Sequence, residues 1–175
     1  ETADLNESVT QTITYTYADG TTAADDATDT VTFSRTATVD AVTGEVTYGD
    51  WIAGNGDTTF DAVTSPVITG YVADKQTIAE VTGIAAKDAD TTITVVYNQM
   101  GQWVPSFPSG TTDVPSDPMT YPNDPNDPTV PLTPGPENEN DPGDPANPTL
   151  PFVPGFTPQG PDGPLQPVDP ANPSS

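Results

Sequence analysis

The chain has 175 residues, a formal net charge of −23, and neither cysteine nor histidine. Such an acidic surface repels nucleic acids and anionic membranes, and the missing side chains exclude disulfides, thiolate metal sites and the usual Ser–His and Cys–His nucleophile pairs. No apolar run approaches the ~20 residues of a membrane-spanning helix. We therefore expect a protein that is not an enzyme, has no cofactor, binds no nucleic acid and does not insert into membranes.

Proline divides the chain into two parts. Pro66 is the only one of the 22 prolines that precedes residue 101. The first part is rich in threonine and has enough valine, isoleucine, tyrosine and phenylalanine for one small core, whereas the second part has too few apolar residues to offset the entropy of ordering a globule. We predict a linker over residues 1–8, a compact module over residues 9–99 and a Pro-rich extended spacer over residues 100–175.

Alternation of threonine with larger apolar residues begins near the start of the chain. Residues 9–17, VTQTITYTY, place valine, isoleucine and tyrosine on one face and threonine on the other. This period of two residues predicts a half-buried β-strand. Asp19 and Gly20 then give a turn signal, and the small polar residues 21–27 predict a loop.

The most regular stretch is residues 28–51, TDTVTFSRTATVDAVTGEVTYGDW. Apolar and polar residues alternate up to residues 40–44, which supply a turn whose glycine is free to take a positive φ. The apolar face resumes at Val46 and Tyr48, so two strands and a turn predict a hairpin. Arg35 interrupts the apolar face, which predicts a strand end near an edge where its guanidinium reaches water or a carboxylate.

The rest of the module is less regular. Residues 60–63 are compatible with one helical turn that Pro66 stops, and residues 67–72 predict a short strand. Residues 75–81 fit either a short helix or an extended connection. Residues 91–97, TTITVVY, predict a final strand, and no segment has a sustained period of 3.6 residues, so we expect little helix.

Prolines in the second part recur every three residues, in runs that begin at residues 122, 142 and 158. Three residues per turn is the geometry of polyproline II, so the composition predicts a semi-rigid spacer. An internal repeat of 20 residues aligns residues 124–135, DPNDPTVPLTPG, with residues 144–155, DPANPTLPFVPG. Four aromatic side chains are candidate anchors if the spacer docks on the module or on a neighbouring copy: Phe107, Tyr121, Phe152 and Phe156.

Four strings in a fixed order make the sequence specific: residues 9–23, 30–51, 60–78 and 93–97. Together they resemble the mucus-binding (Mub, or MucBP-type) repeats of lactobacillal surface adhesins, and most closely the second, B2-like module of those two-part repeats. Residues 151–174 resemble the Pro-rich connectors that follow such modules. The resemblance implies a mostly β, α+β fold of the β-grasp type, in which a small mixed sheet of four to six strands carries little helix and is followed by an extended polyproline-II-like tail.

The resemblance also implies a function. Modules of this kind occur in extracellular, cell-wall-anchored adhesins of Gram-positive bacteria that bind mucus glycoproteins, and some repeats bind immunoglobulin. We predict an adhesin repeat that binds mucin weakly per module and gains strength from many copies, with neighbouring repeats of the parent protein as further partners. Two alternatives stay open: a structural stalk or spacer module with no ligand of its own, and an immunoglobulin-binding module. Because the chain begins at Glu1 rather than methionine, we expect it to be a piece of a larger protein.

Trp51 is a weak candidate for a ligand-binding residue. Counted from Val46 and Tyr48, strict alternation places it on the exposed threonine face, where its flat ring would suit a sugar or a partner surface. A bulge at Gly49 would shift the register by one and return the ring to the core. The core position is favoured because large aromatic side chains are mostly buried, and Tyr71 is expected in the core for the same reason.

Other groups of residues favour structural interpretations. The threonine rows offer hydroxyls to a glycan, but threonine is also a good solvent-facing strand residue. The acids at residues 25–26 and 123–128 offer oxygen ligands to Ca²⁺ without the spacing of a dedicated calcium loop, so we predict no metal site. A glycosidase carboxylate pair lacks an aromatic-lined cleft in so small a domain. An isopeptide crosslink from Lys75 or Lys87 to Asn98 is a remote alternative.

Overall fold

The computed structural model describes residues 4–103 and 119–132, and nearly all regular structure within them is β-strand. A single 3-10 turn, Gly54–Gly56, is the helical element of this part of the chain, so the predicted mostly β fold with little helix is confirmed. No helix among these residues is long and apolar enough to cross a membrane. The predicted polyproline geometry beyond residue 132 and three of the candidate anchors lie outside the described residues: Phe107, Phe152 and Phe156.

The chain divides into two compact units, one made of Glu1–Thr64 with Thr77–Val95 and the other of Ser65–Gln76 with the residues from Val96 onward. A five-stranded sheet is the largest element of the fold. Its strands are β1 (Asn6–Tyr17), β2 (Thr22–Ser34), β5 (Ile52–Ala53), β7 (Tyr71–Ala73) and β9 (Thr91–Gln99). Their spatial order is β5–β2–β1–β9–β7.

The five-stranded sheet is mixed, as predicted. Strand β1 is antiparallel to β2, as β2 is to β5 and β7 is to β9. Contacts between β1 and the chain at β9 advance together in sequence: the Thr10 amide donates to Asp90 Oδ1 at 2.8 Å, and the hydroxyls of Thr14 and Thr94 lie 3.0 Å apart. Strands whose contacts advance in this way are parallel.

Three smaller two-stranded sheets complete the described structure. Each of them consists of two antiparallel strands. The strands are β3 (Ala37–Val39) and β4 (Val46–Tyr48), β6 (Val63–Thr64) and β8 (Thr77–Ile78), and β10 (Gln102–Trp103) and β11 (Met119–Thr120).

The strand predicted at residues 9–17 is confirmed and starts earlier, at Asn6. Of its predicted inward face, Val9, Ile13 and Tyr15 are buried and Tyr17 is half-buried. The same face holds a polar side chain, Gln11, which is 4% exposed. The division into linker, module and spacer stays a prediction. The final strand is confirmed as β9.

The loop predicted at residues 21–27 is wrong, because β2 starts at Thr22. Its polar residues pair with the end of β1, as far as Thr16 opposite Thr22. Register shifts on both sides of Tyr15 accommodate the irregular pairing, which is what a β-bulge does. Backbone pairing thus overrides the low strand preference of the acidic residues there.

The predicted hairpin is confirmed at β3 and β4, although it is a ribbon separate from β2. Gly44 takes the expected positive φ, 73°. Asp40 Oδ1 accepts the amide hydrogens of Val42 and Thr43 at 2.8 and 3.0 Å, and these bonds, that from Thr43 first, lower the pKa of Asp40. The apolar face does not continue as core, because Val39 is 62% exposed.

The core of the first unit forms where β1, β2 and two loops meet. Phe60 is 1% exposed, and its amide and carbonyl pair with those of Val81 at 2.8 and 3.0 Å. The helical turn predicted at residues 60–63 is therefore wrong, since this backbone is extended and paired. The buried cluster consists of Val9, Val31, Phe33, Phe60 and Ala86.

Two other predictions need correction or completion. The strand predicted at residues 67–72 is shorter and later, because a turn with Gly70 at φ 84° precedes β7. Tyr71 is half-buried rather than a core residue. Residues 75–81, for which helix and extended chain stayed open, are extended and contain β8.

Gly49 is required by its close approach to Thr36. Its amide donates to the Thr36 carbonyl at 2.9 Å, and a Cβ at residue 49 would lie 2.7 Å from Thr36 Oγ1. We expect Gly49→Ala to lower the free energy of unfolding by about 1–3 kcal/mol, because one of the two groups must move. In a Thr36→Ala background the same replacement should cost much less. Urea unfolding of the single and double variants measures this coupling, and an equal cost in both backgrounds would contradict it.

Candidate binding site around Trp51

Trp51 lies between the β3–β4 ribbon and β5 and is half-buried. Part of its side chain packs against the buried cluster of the first unit. Each of the two positions that the sequence allows for the Trp51 ring, exposed or in the core, is therefore correct in part. The ring is anchored by the core and still presents surface to charged neighbours.

Arg35 lies between two aromatic rings. Its guanidinium carbon is 4.2 Å from the centroid of Tyr48 and 4.5 Å from that of Trp51, which is cation–π geometry. Its Nε donates to the Asp4 carbonyl at 3.2 Å, and its amide donates to the Leu5 carbonyl at 2.9 Å. The predicted strand end at Arg35 is confirmed, but the guanidinium reaches aromatic rings and a carbonyl rather than a carboxylate.

The outer edge of the Arg35 guanidinium consists of its two Nη atoms. Among residues 4–103 and 119–132, the Nη atoms of Arg35 have no hydrogen-bond partner. A guanidinium presents five N–H donors in one plane, and its outer fork matches two oxygens of an acidic group. Stacking between Tyr48 and Trp51 fixes that plane in advance, which reduces the entropy lost on binding.

Lys87 approaches the same tryptophan. Its Nζ is 5.2 Å from the Trp51 centroid and forms an ion pair with Glu7. The neighbouring chain is held by a turn in which the Ala85 amide donates to Asp88 Oδ2 at 2.8 Å, next to the buried Ala86. Two of the three basic residues of an otherwise acidic chain thus meet at Trp51.

An open depression of about 450 Å³ adjoins this group through Glu7. Gly54 forms one wall, and a Cβ there would lie 2.6 Å from Thr32 Oγ1, so the wall depends on glycine. The side chains around the depression supply hydroxyls, an amide and a carboxylate, whereas the Phe33 ring belongs to the buried cluster. It is lined by Asn6, Glu7, Ser8, Thr32, Phe33, Ser34 and Gly54.

We call Arg35, Tyr48, Trp51 and Lys87 the Trp51 patch. Its rings offer flat apolar surface and its cations offer charge, which suits the binding of a polar ligand with an acidic group. The sequence singled out Trp51 alone. The interruption of the apolar face at Arg35 and the nearness of Tyr48 were usable signals, whereas nothing in the sequence connects Lys87 with Glu7, because they are 80 residues apart.

The other candidate groups are placed elsewhere. The threonine rows bond to one another, as Thr10 and Thr30 do at 2.9 Å between hydroxyls. Within residues 4–103 and 119–132, no group of three or more acidic side chains is arranged to hold a metal ion. The carboxylates at residues 123–128 accept bonds from nearby residues of their own loop. Lys75 pairs with Asp74, and Asn98 lies opposite Val72, so the isopeptide alternative gains no support.

The strands described above form a small module that is mostly β-sheet. The chain belongs to the Muc B2-like domain family, whose sequence model matches residues 1–101. This is a family of mucus-binding domains and not a family of enzymes. The resemblance drawn from the sequence is confirmed.

Solved structures of similar proteins come from the same group. Mub-RV is 38% identical over 57% of this chain and 55% of its own, with a TM-score of 0.51. The mucin-binding domain of Spr1345 from Streptococcus pneumoniae is 32% identical over 54% of this chain and 91% of its own, with a TM-score of 0.48. The type 2 repeat of the mucus binding protein MUB from Lactobacillus reuteri is 33% identical over 55% and 51%, with a TM-score of 0.43. The chain thus spans about half the length of Mub-RV and of the type 2 repeat from Lactobacillus reuteri. No curated protein matches it.

Proposed function

We propose that this module binds mucus glycoprotein as one repeat of a surface adhesin of a Gram-positive bacterium, and that the Trp51 patch is the contact surface. The observation that supports this most directly is the stacking of Arg35 between Tyr48 and Trp51. A sugar ring can lie against the aromatic surface while the guanidinium fork binds an acidic substituent. An extracellular, wall-anchored parent protein is part of the same proposal.

The Trp51 patch bears on the chief difficulty for mucin binding. A net charge of −23 opposes the approach of sialylated or sulfated glycans. The Arg35 guanidinium, which forms no ion pair within residues 4–103 and 119–132, offsets this repulsion over a short range, since exposed charges are screened beyond ~8–10 Å at physiological salt. Affinity per module is then weak, and repeated modules on one protein raise it by multivalency.

The test compares two variants with the same change in net charge. We expect Arg35→Gln to lower retention of the full chain on purified mucin about tenfold or more, because it removes the fork without removing the rings. Lys75→Gln is the matched control, since Lys75 pairs with Asp74 outside the patch and its loss should leave retention nearly unchanged.

Binding at low and physiological salt separates the remaining explanations. Equal losses in both variants would assign binding to net charge rather than to the patch. If the wild-type chain is not retained on mucin at either salt concentration, the module is a stalk element and the proposal fails. Immunoglobulin binding and contacts with neighbouring repeats stay predictions.

A further inference from the structure

Residues 121–132 follow the part of the chain that the family model matches, and they form a closed loop. The Leu132 amide donates to the Pro122 carbonyl at 2.8 Å, and Asn123 and Pro131 form an antiparallel bridge. At the tip, Asp127 Oδ1 accepts the Thr129 hydroxyl at 2.6 Å and its amide at 2.9 Å. These bonds, the hydroxyl first, lower the pKa of Asp127. We call residues 121–132 the docked loop.

Asn123 attaches the docked loop to the turn Ile68–Tyr71. Its Oδ1 accepts the Gly70 amide at 2.9 Å, and its Nδ2 donates to the carbonyls of Ile68 and Tyr71 at 3.0 and 2.7 Å. The turn is closed by its own bond from the Tyr71 amide to the Ile68 carbonyl at 3.0 Å. A side-chain amide has two donor hydrogens and one acceptor oxygen, and this turn uses all of them.

Two further contacts hold the docked loop. The Ala73 amide of β7 donates to the Pro128 carbonyl at 2.8 Å, and Pro128 is among the most deeply buried residues of the described chain. Because β7 is the last strand in the order of the sheet, this bond satisfies a donor on an otherwise open edge. Tyr121, one of the four candidate anchors, is 3% exposed, and burial raises the pKa of its hydroxyl.

We infer that the turn Ile68–Tyr71 and the edge of β7 form a peptide-binding groove for a Tyr-Pro-Asn-Asp-Pro segment. The docked loop fills this groove within one chain, and the same segment of a second copy fills it when the groove is vacant. Each contact joins a side chain or carbonyl of the loop to backbone groups of the groove. None of them requires that the two partners belong to one chain, so the groove provides a link between copies.

The internal repeat gives the groove its specificity. Aligned on the 20-residue repeat, the second copy keeps the Pro-Thr pair of the loop tip but replaces the two anchors. Gly143 stands where Asn123 is, and Asp141 stands where Tyr121 is. A glycine has no amide side chain to bind the turn, and an aspartate would bury a charge in place of a ring. Only the first copy fits the groove.

The first experiment measures opening of the groove in the full chain. Asn123→Ala should make the Ala73 amide exchange with solvent at least tenfold faster, because the docked loop then opens more often. Asn126→Ala is the matched control, because Asn126 is exposed and its bond to Asp124 Oδ1 comes from the backbone amide, which alanine keeps. Unchanged exchange in Asn123→Ala would overturn the inference.

The second experiment tests binding between molecules with a labelled peptide of residues 119–132, MTYPNDPNDPTVPL. The Tyr121→Ala/Asn123→Ala chain, with its groove vacated, should bind the peptide at least tenfold more tightly than wild type, as measured by fluorescence anisotropy. The same peptide with the substitution Asn123→Ala should bind neither chain. Equal binding to both chains, or no binding to either, would refute the groove. Circular dichroism checks that the double variant folds, and if it does not, the same peptide titration on Asn123→Ala decides the question.

Discussion

Replacement of Phe60 by alanine is expected to lower the free energy of unfolding by about 3–5 kcal/mol. Phe60 is 1% exposed and belongs to the buried cluster of the first unit. Its ring lies in a connection between short strands, so the loss would leave a cavity that the surrounding sheet cannot close. A loss of this size is a large share of the 5–15 kcal/mol of stability typical of a domain.

Val81→Ala is the matched control for Phe60→Ala. The two residues face each other in the same antiparallel bridge, and alanine keeps both backbone hydrogen bonds. Because Val81 is 39% exposed, its replacement should cost under about 1 kcal/mol. Urea unfolding followed by circular dichroism measures both variants. Similar costs would show that the bridge, and not the buried ring, stabilises this connection.

Replacement of Trp51 by alanine is expected to reduce both mucin retention and stability. The ring packs on the core cluster and supports the guanidinium of Arg35. Partial burial predicts a loss of about 2 kcal/mol in the free energy of unfolding. Retention on mucin should fall tenfold or more, because the guanidinium loses one of the two surfaces that fix its plane.

Two companion variants separate binding from folding. Trp51→Phe keeps a ring beneath Arg35 and should retain most binding. Tyr48→Ala removes the other ring, which is 44% exposed, and should weaken binding with little change in stability. If Trp51→Ala loses stability but keeps mucin retention, Trp51 is a core residue only and the contact surface lies elsewhere.

The sequence predicts those strands that show alternation of apolar and polar residues by themselves. β1 and β9 follow directly from the period of two residues, whereas the start of β2 depends on pairing with β1 and has no signal of its own. Phe60 illustrates the same limit, since its extended backbone is set by a partner 21 residues away. The local sequence pattern predicts burial and turns well. Whether a segment without alternation forms a strand is decided by its pairing with distant residues.

The candidate site was predictable to a similar degree. Trp51 stood out by its residue type, yet its partial burial results from contacts that alternation cannot represent. The sequence correctly predicts a strand end at Arg35, but the stacking of its guanidinium depends on where the β3–β4 ribbon turns back. Asn123 had no signal beyond membership of an acidic, Pro-rich string, and only the geometry of the turn Ile68–Tyr71 gives it a partner.

The parallel pairing of β1 with β9 has a mechanical consequence for the module under tension. When the chain is pulled from the beginning of β1 and from the far end of β9, the two strands are drawn past each other lengthwise. All hydrogen bonds between them then bear the load together, instead of breaking one after another as in a peeled hairpin. Resistance to force is set by the rate of unfolding rather than by equilibrium stability, so the module can stay folded under tension that would open a less favourably loaded sheet.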